Sequence, residues 1–210
     1  MVQNIMSKKI YTIGYSGFIL DTFLKTLKDN GINVVIDVRS TPYSEWFQDF
    51  NKTNIEIFLK KNNIYYRNYA EEFGARQENK AFFNDEGYLD FGKFAKSEQF
   101  RKGFEKICNS IEQGYNIVLM CAEKNPIQCH RSMLIAKEFH DAGYEVVHIL
   151  PEGKFLTQNQ LEIELLNEFF PNRDQINLFE APMTEQEYIA EAYKKQNQKI
   201  GYRANKQLED

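Results

Sequence analysis

Cysteine, proline and tryptophan are scarce in this chain, with three, five and one among 210 residues. The thiols Cys108, Cys121 and Cys129 are too few to staple a small disulfide scaffold, and so many residues can bury a sizeable core without staples. No apolar run approaches the roughly twenty residues that span a bilayer, so no membrane association is expected. The opening MVQNIMSKK lacks the apolar centre of a secretory signal, and no repeat recurs at solenoid or propeller spacing. Neither sign of charge dominates: 26 basic side chains face 30 acidic ones, a net charge of −4. That excludes a broad electrostatic grip on nucleic acid but leaves room for a local basic groove. The expectation is a cytoplasmic protein whose thiols are normally reduced.

What is present is an alternation of short β-rich runs with helical periodicities. Ile10 to Ile13 ends in Gly14 and is followed by Phe18, Leu20, Phe23, Leu24 and Leu27 at helical spacing, which reads as strand, turn, helix. Val34, Val35, Ile36 and Val38 form a continuous apolar strand interrupted by Asp37, as for a strand covered on both faces. A strand is predicted at Ile64 to Tyr69, a long loop or lid over Ala70 to Asp90, and one amphipathic helix from Phe91 to Gln113. Further strands are predicted at Ile117 to Met120 and Val146 to Leu150, with a helix around Met133 to Phe139 and another at Leu161 to Phe170. Together they predict a three-layer α/β fold, a parallel-rich sheet with helices on both faces. The expected division is one domain over 1–170 and a polar, partly helical appendage over 171–210. Ligands belong at the carboxyl ends of the strands.

The segment from Val118 to Ser132 carries the densest chemistry. A strand delivers Cys121 to a loop holding Glu123, Lys124, Cys129, His130 and Arg131 before a helix begins. Backbone N–H groups at a helix start, with Arg131, make a positive pocket for an oxyanion, and the same field favours thiolate over thiol. Either cysteine can serve as nucleophile, with Cys121 preferred; the bland alternative makes both of them small buried hydrophobes. A metal site of Cys121, Cys129, His130 and Glu123 is a weaker option, because Cys129 and His130 are adjacent and the paired C-x-x-C spacing is missing. A reversible Cys121–Cys129 disulfide is a further one. No metal and no cofactor is therefore expected. Asp37 and Arg39 stand near a strand end on one face and either line the pocket or form an internal ion pair.

The runs Tyr11 to Ser16, Val35 to Pro42, Tyr69 to Arg76, and Met120 to Lys124 continuing through Cys129-His130-Arg131 resemble the bacterial family catalogued as domain of unknown function 488. The resemblance covers about residues 9 to 151, and that family has no established activity. Tyr15 stands where the family usually carries histidine, so Tyr15 is expected to donate a hydrogen bond rather than act as acid or base. More remotely, Asp37-Val38-Arg39 and the Cys-loop-Arg-Ser-helix look like rhodanese sulfurtransferases and cysteine phosphatases. Here Arg131 follows Cys121 by ten residues where those enzymes use five or six, so their loop closure is not expected.

The resulting expectation is a cysteine-dependent enzyme, a transferase or hydrolase acting on a phosphate-bearing, nucleotide-like substrate. Catalysis is assigned to Cys121, Cys129, His130, Arg131, Asp37 and Glu123, and ligand binding to Gly14, Tyr15, Ser16, Arg39, Arg76 and Lys124. An aromatic set of Tyr43, Trp46, Phe47, Tyr65, Tyr66 and Tyr69 offers a stacking platform, though ordinary packing explains it better. Gln175-Ile176-Asn177-Leu178-Phe179 resembles the bacterial sliding-clamp-binding peptide, with Gln175, Leu178 and Phe179 as anchors. The competing function is accordingly a non-catalytic nucleotide or nucleic-acid binding module recruited to the clamp.

Overall fold

The computed structural model describes residues 8–173, 175 and 183–204. Six strands form one sheet: β1 (Lys9–Gly14), β2 (Val34–Asp37), β3 (Tyr65–Asn68), β4 (Ile117–Cys121), β5 (Glu145–Ile149) and β6 (Phe155–Thr157). Their order is β3-β2-β4-β1-β5-β6, all parallel except β6, which pairs antiparallel to β5. β2 and β4 are buried at every position, which is why they read as continuous apolar runs.

Pleating sends successive side chains of these strands to opposite faces. Val35, Val118 and Met120 join Phe23 and Leu27 of α1 (Leu20–Asp29) and Ile55 and Leu59 of α2 (Lys52–Lys61) on one face. The four helical side chains have no exposure, and each contributes about 1.5–3 kcal/mol by leaving water. Gly31 closes α1 in the left-handed region at φ +65°. On the other face Val34, Ile36, Ile117 and Leu119 pack with α3 (Ala70–Phe73), α4 (Phe91–Ala95), α5 (Glu98–Glu112) and α6 (Lys137–Asp141). α7 (Gln158–Phe169) and α8 (Glu185–Ile200) complete that layer. The architecture is a three-layer α/β domain with a mostly parallel sheet.

Three local expectations change. The helix predicted from Phe91 to Gln113 is two, because the Ser97 side chain accepts from the Phe100 backbone N–H and starts α5 afresh. Within Ala70 to Asp90, α3 and a Phe83–Leu89 bridge give order to the expected lid. The segment expected to trail as an appendage carries α8, whose Ala192, Tyr193, Gln196 and Asn197 are buried against the domain. Gln196 donates to the Ile127 carbonyl, and Asn197 joins the Leu89 carbonyl to the Phe91 N–H. Among the described residues no helix is long and apolar enough to cross a membrane.

Candidate functional site at the ends of three strands

β1, β2 and β4 lie side by side, so the chain leaving each of them meets the others at the carboxyl edge of the sheet. There a cavity of about 350 Å³ is lined by Tyr15, Arg39, Arg76, Cys121, Glu123 and His130, with Ser40, Thr41, Tyr43 and Ser44 from the segment after β2. The loop after β4 crosses directly over the end of β1. A Cβ at Gly14 would sit 1.8 Å from the Glu123 carbonyl oxygen, so only glycine admits that crossing. Ser16 N–H donates to the Ala122 carbonyl at 3.1 Å and fixes the same approach. Gly14 and Ser16, assigned to ligand binding by the sequence, hold the loop and are not among the residues lining the cavity.

Arg131 is also not where the sequence suggested. It is fully buried beneath the loop, donating from Nη1 to the Glu123 carbonyl at 2.5 Å, from Nη2 to the Lys124 carbonyl at 3.5 Å and from Nε to Thr12 Oγ1 at 3.4 Å. With its donors on these partners, Arg131 shapes the loop and does not line the cavity. Lys124 lines a separate cavity of about 370 Å³ beside Pro126, Leu150 and Pro151. The guanidinium that does line the site belongs to Arg39.

Arg39 is gripped by Asp37, Nε on Oδ1 at 2.8 Å and Nη2 on Oδ2 at 2.6 Å, and Nη2 also donates to the Phe50 carbonyl. The Arg39 N–H and the Tyr66 hydroxyl donate to the same carboxylate, at 3.1 and 2.6 Å. Asp37 is thereby saturated as an acceptor and positions Arg39; unlike Arg39, it is not among the residues that line the cavity. Burial alone would lower Arg39, but Asp37 raises it further above its ordinary value, so the guanidinium is charged. It lies 4.9 Å from the centroid of the Tyr15 ring, which stacks on Phe50. One nitrogen, Nη1, is buried with no hydrogen-bond partner.

Below the opposite wall sit the two thiols. Cys121 ends β4 and Cys129 precedes the helical turns Arg131–Ala136, which lead into α6 as wide turns of the kind often found at functional sites. Asn125 caps the intervening turn by accepting from the Ile127 N–H. Cys121 Sγ is 3.9 Å from His130 Nδ1, and Cys129 Sγ is 2.9 Å from Glu123 Oε2, a distance at which the two groups share one proton. His130 Nε2 lies 3.1 Å from the Val38 carbonyl, which fixes the proton on Nε2 and turns Nδ1 toward the sulfurs. Its hydrogen bond to Cys129, then burial, pushes the Cys121 thiol well up. Burial would raise Cys129 as well, but its hydrogen bond to Cys121, the Arg131 charge and His130 outweigh that and hold it well below the usual thiol range. The two thiols thus titrate as a coupled pair. His130, which burial alone would lower, is raised by its hydrogen bond to Cys129, and Glu123 is raised by burial and then by the Cys129 charge.

The structure therefore brings together Cys121, Cys129, His130, Glu123, Arg39, Tyr15 and the exposed Arg76. Ser40 was missed, although it directly follows the Asp-Val-Arg strand end; its Oγ accepts the Arg76 N–H at 2.8 Å and pins that segment to the cavity. The aromatic set does not assemble: Tyr43 lines this cavity, Tyr66 is buried on Asp37, and Tyr65 and Tyr69 line another. Gln175 is exposed, whereas Leu178 and Phe179 lie outside the described residues.

Fold and cavity define a mostly parallel α/β domain with a paired-thiol centre and an arginine at the carboxyl edge of its sheet. The family model described as "Domain of unknown function DUF488" matches residues 19–137, and the chain belongs to that family. The matched span contains Asp37, Arg39 and the whole Cys121 to Arg131 segment, while Gly14, Tyr15 and Ser16 precede it. No curated protein and no solved structure matches the chain.

Proposed function

We propose that the protein is a cysteine-dependent enzyme, a transferase or hydrolase, acting on an anionic, phosphate-bearing substrate. One observation carries this reading: Cys121 and Arg39, whose Nη1 lacks a partner, line the same cavity. A buried guanidinium nitrogen without a partner is costly unless an acceptor arrives, and a phosphate or carboxylate oxygen satisfies it. Arg76 adds a second positive charge from the rim.

In this reading Cys121 is the nucleophile, because it lines the cavity while Cys129 stands behind it. Cys121 Sγ forms a bond to the electrophilic centre and passes its proton to Cys129; the bond to the leaving group breaks, and Glu123 or His130 supplies the proton that the leaving group takes. Arg39 holds the anionic part of the substrate still during the exchange.

The test is labelling of the reduced, metal-free protein by iodoacetamide at neutral pH, read by mass spectrometry. Labelling at Cys121 or Cys129 is expected to be faster than at a free cysteine and faster than at Cys108, with inorganic phosphate slowing it. Labelling no faster than for free cysteine, with no protection by phosphate, overturns the catalytic reading and leaves the non-catalytic binding module.

A further inference from the structure

In the sequence a metal site is the weaker option because Cys129 and His130 are adjacent and C-x-x-C spacing is absent. The backbone removes that objection. Cys129 is extended at φ −132° and ψ 133°, while His130 is helical at φ −59° and ψ −25°. A switch of backbone conformation between neighbours lets both side chains turn to one side, and both do: the Cys121, Cys129 and His130 ligand atoms lie within 4.8 Å of one another.

We propose that Cys121, Cys129, His130 and Glu123 form a binding site for a thiophilic divalent cation, for which Zn²⁺ is the natural probe. The four donors are two sulfurs, one imidazole nitrogen and one carboxylate oxygen, a set that suits zinc-like ions and not magnesium or calcium. Bond lengths of about 2.3 Å to sulfur and 2.0–2.1 Å to nitrogen at tetrahedral angles put those atoms about 3.6 Å apart, close to the 3.9 Å between Cys121 Sγ and His130 Nδ1. Among Cys121, Cys129 and His130 even the widest spacing has to close by only about 1 Å.

The surroundings of the donors point the same way. A ligating histidine ordinarily gives its other ring N–H to a carbonyl or carboxylate, and His130 Nε2 already sits on the Val38 carbonyl at 3.1 Å. Glu123 Oε2 lies against Cys129 Sγ at 2.9 Å, so its carboxylate is beside the three-donor cluster and has to swing toward Cys121 and His130 to become the fourth ligand. The loop between the cysteines is stiffened from below by Arg131 on the Glu123 and Lys124 carbonyls. Two thiolates, a carboxylate and a divalent ion leave one net negative charge, which the buried Arg131 guanidinium offsets. Glu123, which lines the cavity, is the donor whose departure opens the ion toward it.

The site is independent of the thiol-enzyme reading, since it needs the donors alone; metal and alkylating reagent then compete for the same sulfurs. The full chain, stripped with chelator under reductant, is titrated with Zn²⁺ and separately with Co²⁺. One equivalent of either ion is expected per chain, with a thiolate-to-cobalt charge-transfer band, and bound Zn²⁺ should slow alkylation of Cys121 at least tenfold until chelator restores it. Cys108→Ser should bind as the parent does. Glu123→Gln, whose residue is exposed and whose fold is checked by circular dichroism, should bind roughly tenfold more weakly or worse. Absence of a saturable equivalent in the parent, a cobalt spectrum without thiolate character, or undiminished binding by folded Cys121→Ser or Cys129→Ser protein overturns the metal site. Alkylation of the metal-free protein reports on the thiol enzyme separately, so either idea can fail alone.

Discussion

Asp37 and Arg39 show how much one pair of residues decides. With 0% and 5% side-chain exposure they are out of water, and a buried pair repays its desolvation only when its remaining hydrogen bonds are made. Asp37 makes them all, whereas Arg39, which lines the site, leaves its buried Nη1 without a partner. Asp37→Ala strands a buried guanidinium and the Tyr66 hydroxyl together, and should cost about 3–5 kcal/mol, read as a lower urea midpoint. Arg76→Ala, an exposed cationic side chain, should move that midpoint by less than about 0.5 kcal/mol. Equal effects of the two substitutions would mean that the buried pair does not hold the strand end. At this scale the sequence was legible in its spacing: Asp-x-Arg on one face of a strand end announces either a pocket pair or an internal ion pair, and Arg39 proves to be part of both. It was illegible for Arg131, because a guanidinium beside two thiols has the same one-dimensional signature whether it faces a ligand or props a loop from behind.

Elements were legible where one face or both faces of a strand are apolar. β2 and β4 announce themselves as central strands because helices cover both sides, and α1 shows its core face as Leu20, Phe23, Leu24 and Leu27. Polar interlocks gave no such signal. The carboxyl-terminal segment reads as an appendage because its sequence is polar, and α8 docks through Gln196 and Asn197, whose amides replace the water that loop backbone would otherwise keep. Asn197 is the sharpest test. Replacing it by alanine leaves the Leu89 carbonyl and the Phe91 N–H without a side-chain partner, at about 1–3 kcal/mol for each group that stays dry. Asn197→Ala should therefore lower the thermal midpoint by several degrees, since about 1 kcal/mol corresponds to about 2–4 °C at 150–250 residues. Gln198→Ala, one position on and exposed, should leave the midpoint within about a degree. If both variants melt alike, α8 is not fastened through Asn197.

Across the whole molecule a chain of buried polar contacts runs from the site to the far helices. Arg131 Nε reaches Thr12 Oγ1, which lies 2.8 Å from His148 Nδ1; His148 Nε2 lies 2.8 Å from Gln158 Oε1; Gln158 Nε2 donates to the Tyr193 hydroxyl, which donates to Glu162. With Gln158 Oε1 accepting, His148 carries its proton on Nε2 and accepts the Thr12 hydroxyl on Nδ1, which requires a neutral ring. Burial first, and then the Arg131 charge, lowers His148 to about 3. Unfolded, the same ring protonates near its ordinary value of about 6.5. Between these two values the unfolded chain binds a proton that the folded chain refuses, so this contribution to stability is complete above about pH 6.5 and declines as pH falls. The slope approaches about 1.4 kcal/mol per pH unit below pH 6, which integrates to about 2 kcal/mol from pH 6.5 to 4.5. His148→Gln, which has no proton to gain, should remove that increment from the acid limb of urea stability measured across those pH values, even if it is less stable than the parent at pH 7. Parallel acid limbs for parent and variant would show that His148 is not held neutral by the core, and the buried chain joining loop, sheet and α8 would then be drawn with the wrong proton at its centre.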